Sequence, residues 1–582
     1  MSNGRLLPNQ SETGNISFSI LVAGEEVPQT YEFLSITTHV ELNRIPYAYL
    51  VLKDGETAIE DFEVSNEERF VPGSEVEIKM GYDGDNSSVF RGIIIKHGIK
   101  IKGNQPSVLE LECRHKAIKM TVGRKNKCFL ALQDHEIMEQ LIRSYGLTPE
   151  VESTDVKHQE LVQYYTTDWD FLVSRAEVNG KVVLCQDDKI VVKAPEFDGE
   201  ATFGLKYGET LHEFEAEMDA RHQYDAVQCS AWKFSSQEVL MEQGKFPANN
   251  GLGNISEKKL ATVIGLPHLD FRHGGPLMDT ELKSWGSAQL VKSHLAKVIA
   301  RAKFWGVPTV KVGNLISLSG VGDRFNGKGY VTAVRQSQVD GEFYTDVQFG
   351  KSPEWFYQEF ETQEKSASGL LPGISGLQIG KVSQLENDPE GEFRILVRFP
   401  MIDPQSTGVW ARLATLDAGN ERGFVFRPEI DDEVIVGFIN DDPRHPVILG
   451  HLHSSANPSP LEAKDDNHEK GLVTRSKMRL HFDDDKKVMT FATPAGNKIM
   501  LNEDGKNMLL EDQNGNKITF DTNGITLESA KNIILKATGD IKAEGVNIEQ
   551  KAQAQFKAEG GAGLEVSTSA IATVKGSLVK IN

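Results

Sequence analysis

The sequence predicts a mainly β protein of several domains: an α+β body, a small β-barrel and a C-terminal fibre. Three observations carry this reading. Strands mixed with capped helices fill the first 360 or so residues, a run of short strands bounded by Asp-Pro turns follows, and a ten-residue motif repeats near the C-terminus.

In the body, Phe18 to Val22, Glu75 to Met80, Gly92 to Ile95 and Val108 to Cys113 alternate with strand periodicity. Helices interrupt them. Asp134 is placed to cap a helix running to Tyr145, with Ile137, Leu141 and Ile142 on one side and Gly146 as its stop. Thr167 and Asp170 form a capping box before a second helix that Asn179-Gly180 ends. Leu282, Trp285, Leu290, Leu295, Val298, Ile299 and Ala302 predict a long helix from about Asp279 to Phe304, with Pro308 just beyond. The body is expected to occupy residues 1–365.

Residues 362–373, TQEKSASGLLPG, have linker chemistry. Short strands with turns at Asp388-Pro389, Asp403-Pro404 and Asp442-Pro443 then suit a Greek-key barrel of the OB type over residues 374–455. Residues 456–470 are too few and too polar for a further domain and are expected to be a linker.

The fibre is expected over 471–582. Gly496 to Gly505 reads GNKIMLNEDG and Gly515 to Gly524 reads GNKITFDTNG, a recurrence at an offset of 19. Ile499 with Leu501, and Ile518 with Phe520, take one face, while Lys498, Asn502, Lys517 and Asp521 take the other. The alternation continues at irregular spacing through Ile525, Leu527, Ile533, Leu535, Ile541 and Phe556 to Leu564 and Val566. From Gly471 onward there are four Phe, one Pro and no Trp, Tyr or Cys. So few large apolar residues cannot offset the entropy of ordering the segment alone. An intertwined β-helix of identical chains, each presenting its apolar row to a shared axis, resolves this; a single-chain solenoid is the alternative.

The formal net charge is −21, and the segment from Gly471 onward holds 15 Lys plus Arg against 14 Asp plus Glu, so the acidity lies in residues 1–470. An acidic body argues against a nucleic-acid partner. Cys113, Cys128, Cys185 and Cys229 show no CxxC spacing and make no disulfide framework, which fits folding in a reducing cytosol. The start, MSNGRLLPNQSETGN, has no apolar h-region, so no classical signal peptide is expected, and no apolar run is long enough to span a membrane.

Motifs with chemical potential each have a plainer explanation. His451-Leu452-His453 has metal-binding spacing, but a polar strand end accounts for it. Asp83-Gly84-Asp85-Asn86 opens like a calcium loop without the downstream Gly and bidentate Glu, and reads as a hairpin turn. Asp483-Asp484-Asp485 reads as a solvated turn. There is no GxSxG, HExxH or GKS/GKT. No catalytic residue, cofactor site or metal site is assigned, and no enzyme is expected.

Several blocks together resemble the VgrG family, the spike proteins of type VI secretion systems with relatives in extracellular contractile injection systems and phage tails. These are GKV at Gly380 to Val382, DPEGEFRILVRFP at Asp388 to Pro400, WAR at Trp410 to Arg412, Ala418-Gly419, PEIDDEVIVGF at Pro428 to Phe438 and DDPRHPVILG at Asp441 to Gly450. Upstream, FVPGSEVEIKMGY at Phe70 to Tyr82, Phe90-Arg91-Gly92 and TTDWDFLVSRAEVNG at Thr166 to Gly180 are similar to its tail-hub-like region. The resemblance implies a homotrimer with tail-hub-like β-barrel subdomains, an OB-fold collar and an intertwined needle. It implies as partners a hexameric Hcp-like inner tube, baseplate proteins, effector cargo, the target membrane on puncture, and a PAAR-type tip protein on Leu578, Val579, Lys580, Ile581 and Asn582. It also implies assembly in the cytoplasm followed by injection. The phage relative carries a lysozyme domain between collar and needle; here only residues 456–470 stand there. The expected function is a structural spike. A phage-type tail-associated hydrolase and an oligosaccharide-binding tail protein are the alternatives, and the acidic PEIDDE run argues against the latter.

Overall fold

A computed structural model describes residues 5–7, 14–103, 105–247 and 251–581. The fold is mainly β, with a large sheet and helices in the body, a closed five-stranded barrel and a C-terminal β-ladder. The chain divides into two compact units, one comprising residues 1–375 and 440–442, the other 376–439 and 443–582.

In the first unit a fourteen-stranded sheet is the organising element. Hairpins build it because the turns demand it. Tyr82 pairs with Asp85 across Asp83-Gly84, both with positive φ, so the acidic tetrad is a two-residue hairpin turn. The strands Ile16–Val22, Glu75–Tyr82, Tyr47–Lys53 and Gln105–Arg114 point Ile20, Ile78, Leu50, Leu52 and Leu111 into one core. A second core gathers Phe304, Ile316, Val331 and Phe349.

The long helix expected to reach Phe304 stops at Ala296, and Val298–Trp305 is a strand paired with Glu213–Met218 and Glu342–Phe349. Val298, Ala300, Ala302 and Phe304 are buried on one face, which is a period of two. Because Leu295 and Val298 also fit a helical spacing, the apolar pattern runs through the junction without a break.

The helix Asp134–Arg143 starts one residue away from its expected cap: Gln133 closes a capping box with Glu136, and Asp134 is instead fully buried. Arg175 donates to both Asp134 oxygens at 2.6 and 2.9 Å, Asn179 Nδ2 donates at 3.0 Å, and His158 Nε2 lies 3.1 Å away. Burial alone would raise this carboxyl, but the hydrogen bonds of His158 and Arg175 outweigh it and hold the group well below the usual carboxylate range. Its stabilisation is therefore complete above the ordinary Asp value, about pH 4, and drains away as pH falls toward the folded value. Asp134→Ala strands the largely covered Arg175 guanidinium. The expected loss is about 3 kcal/mol, read as a lower denaturation midpoint at pH 7, with the gap from the native protein narrowing in acid.

The second helix, Asp168–Val178, is capped as its sequence demands, with the Thr167 hydroxyl accepting from the Asp170 N–H at 3.0 Å. All four cysteines are free thiols; burial pushes Cys113 up to about 12, while Cys128 is exposed.

In the second unit, Gln378–Gln384, Ile395–Arg398, Val409–Leu413, Pro446–His451 and Glu433–Phe438 close into a barrel over Val382, Ile395, Val397, Ala411, Val434, Val436 and Ile448. The strand ends at His451, so His453 does not share a strand face with it; its Nδ1 lies 3.3 Å from the Asn457 carbonyl. Among the described residues, no group of three or more His, Cys, Asp or Glu is gathered as a metal would require. No helix among them is long and apolar enough to cross a membrane.

Candidate functional site: an open apolar face on the C-terminal ladder

Seven antiparallel strands, Glu469–Val473, Arg479–Asp483, Val488–Ala492, Lys498–Asn502, Asn507–Glu511, Lys517–Asp521 and Gly524–Glu528, form an uninterrupted meander. The 19-residue period is one hairpin. Strands begin at 469, 488 and 507, and again at 479, 498 and 517, so the repeat extends well upstream of the residues in which it is legible. Its glycines do the same work each time: Gly496 (φ 103°) and Gly515 (φ 84°) turn the chain, their N–H groups donating to the Thr493 and Asp512 carbonyls.

The register sorts every side chain. Phe482, Met489, Leu501, Met508, Phe520 and Ile525 line up across consecutive strands, and Leu472, Leu480, Phe491, Ile499, Leu510, Ile518 and Leu527 make a parallel column on the same face. The opposite face carries the cross-strand ion pairs Lys498–Glu511 at 3.1 Å and Lys517–Glu528 at 2.5 Å, one repeat apart. Asp483 ends its strand and Asp484-Asp485 open the turn after it, with Asp483 accepting from Lys486 and Asp484 paired with Lys470.

The apolar face is the open one. Phe482, Phe491, Ile499, Met508, Leu510, Phe520, Ile525 and Leu527 are 36–68% exposed, whereas Thr490 on the polar face is 8% exposed. An apolar row of this extent invites a cover. Covering the surface still open on the thirteen side chains of the two columns is worth on the order of 10 kcal/mol per chain. The sequence pattern pointed to Ile499, Leu501, Ile518 and Phe520 but not to Leu480, Phe482, Met489, Phe491, Met508 and Leu510; the period-2 alternation in RLHFD, VMTFA and NMLLE carried the signal.

Beyond Glu528 the expected strands are not formed. Residues 529–581 form no strand ladder, although the Ser529 hydroxyl donates to Asn516 Oδ1 at 2.6 Å, and 530–581 are all exposed. Strand-type sequence without a partner strand stays open, because a lone strand leaves its N–H and C=O groups unpaired. At the expected tip, Leu578, Val579 and Ile581 are 51–91% exposed and Lys580 is exposed too; Asn582 lies outside the described residues.

Comparison with known proteins agrees with this layout. Residues 12–340 match the family model described as the Alg8 N-terminal domain, more than half of the chain. Residues 378–453 match the type VI secretion system/phage-baseplate injector OB domain, and residues 488–554 the phage baseplate V C-terminal trimerisation domain. The type VI secretion system spike protein VgrG1a of Pseudomonas aeruginosa is 21% identical over 378 residues, 59% of this chain and 56% of that protein. The chain belongs, through residues 12–340, to the family of the Alg8 N-terminal domain, and it is similar to the VgrG spike proteins. VgrG3 of Vibrio cholerae is 30% identical over 112 residues, 19% of this chain and 11% of that one. The chain thus spans about half the length of one of these curated relatives and a small part of the other. Among solved structures, a tail protein from Neisseria meningitidis aligns at TM-score 0.43 and 12% identity, covering 59% of this chain and 98% of its own. A component of the Escherichia coli type VI secretion system aligns at 0.38 and 12%, covering 74% and 99%. At such scores the family rests on the sequence matches.

Proposed function

We propose that three copies of this chain assemble into the spike of a contractile injection apparatus. The observation that carries this reading is the open apolar face of the ladder, 469–528, which overlaps a region, 488–554, similar to a baseplate trimerisation domain. Three ladders set around an axis with those faces inward form a prism whose core is made of all three chains. Residues 529–581 then find their strand partners in the other copies, continuing the prism as an intertwined needle. Such a rod resists axial load because each backbone group is paired and no sheet edge is left to peel. The tail-hub-like body of residues 1–365 caps a hexameric Hcp-like inner tube and meets baseplate proteins, the barrel of 374–455 is the collar, and a contracting sheath drives the needle through a target membrane with its effector cargo. Light scattering of the full-length protein is expected to return three chain masses, and a single-chain mass overturns the reading.

Val579 and Ile581 form an apolar pair that stands open to water. A PAAR-type tip protein stacking on Leu578 to Asn582 would cover them. Removing these five residues is expected to leave the trimer mass unchanged and to abolish retention of the cognate tip protein in a pull-down. Undiminished retention places that contact elsewhere.

A further inference from the structure

Residues 414–427 stand off the barrel as an arm, every one of them exposed. The arm is nevertheless ordered by its own bonds. Ala418 pairs with Gly423 and Gly419 with Arg422, the Phe424 N–H donates to the Asp417 carbonyl at 2.8 Å, and the Thr415 hydroxyl donates to the Phe424 carbonyl at 2.9 Å. Arg422 clamps the Asp417 carboxylate at 2.7 Å. This ordered hairpin presents Leu416, Phe424, Val425 and Phe426, 49–88% exposed and none of them part of the barrel core. Ordering costs conformational entropy, so an ordered arm that leaves this much apolar surface open is poised for a partner.

The outside of the same barrel carries a second apolar area. Ile379 stands opposite Ile435 on neighbouring strands, and Leu377 and Leu449 converge above Gly437, where an added Cβ would lie 3.5 and 3.4 Å from them. Without a side chain, Gly437 leaves a shallow depression between the two leucines. Leu377, Ile379 and Leu449 are 41–58% exposed, so this platform is also uncovered in the single chain.

We propose that the arm of one copy lies on the platform of the next, closing a ring of three barrels. The inference rests on the trimeric reading above. Its occupant is a second copy for two reasons. Arm and platform belong to the same domain, and contact between two different patches is head-to-tail, which closes when the rotation is three-fold. The barrel's last strand also ends at His451 and the ladder begins at Glu469, so copies joined at the ladder hold their barrels within a short tether of one another. At that effective concentration a contact too small to assemble chains by itself is populated.

The test uses the full-length chain carrying Cys128→Ser, which removes the exposed thiol. Cysteine is introduced at each of Phe424, Val425 and Phe426 in combination with each of Leu377, Ile379 and Leu449. Mild oxidation is expected to give covalent dimers and trimers from at least one pair, reversed by reductant, and none from any single substitution. Phe424→Ser with Val425→Ser is expected to keep the three-chain mass while lowering the thermal transition by several degrees. A three-chain mass with no cross-link from any pair overturns the arm-on-platform contact and leaves the trimeric reading standing. A single-chain mass overturns both, and cross-links from arm cysteines alone place the arms against each other and overturn the proposal.

Discussion

Deleting residues 471–582 is expected to convert the proposed trimer into single chains, a threefold fall in mass by light scattering with little loss of folded structure in the remainder. The body and barrel each close their own cores within one chain, around Phe304 and Phe349, Ile78 and Leu50, and Val397 and Val436. None of these depends on a copy. The ladder and the segment after it differ, because their own chain leaves much of their apolar surface open. The arm and platform of the barrel add contact only while the tether holds them together, so they do not rescue the truncated protein. A three-chain mass for the truncated protein would move the assembly interface into the body.

The second large effect separates the two faces of a single strand. Ile518 stands opposite Leu510 and Leu527, and Phe520 opposite Met508 and Ile525, all in the apolar columns; Thr519 between them faces Leu509 and Thr526 on the side of the ion pairs. Ile518→Asp or Phe520→Asp puts three carboxylates around one axis, in a core where each costs at least about 3 kcal/mol unless it stays protonated. The trimer is expected to dissociate or to lose tens of degrees in its thermal transition. Thr519→Asp, beside Lys517 and on the solvent side of the prism, is expected to shift it by a few degrees. Equal shifts at all three positions would show that the face assignment is wrong.

Local chemistry makes much of this protein legible in its amino-acid order. The Asp83-Gly84 turn, the Thr167 cap and the alternation of Phe18 to Val22 and Val108 to Cys113 are decided by residues within a few positions of one another, and each forms as expected. The same holds for the two faces of Lys498–Asn502 and Lys517–Asp521, since a period of two fixes which side chains share a side whatever the partner strand. The sequence by itself therefore determined a mainly β chain with a repeating, two-faced C-terminal segment.

What depended on distant partners was decided only by the tertiary structure. Val298 to Trp305 fits helical spacing until strands at 213–218 and 342–349 claim it, and Asp134 looks like a cap until Arg175 and His158 meet it in the interior. The hairpin repeat upstream of Gly496 emerges only when the strands are seen in register, because pairing selects for alternation and turn geometry while leaving the individual residues free to change. The arm at 414–427 is the extreme case: only the fold reveals that Phe424, Val425 and Phe426 are left 49–78% exposed by their own chain.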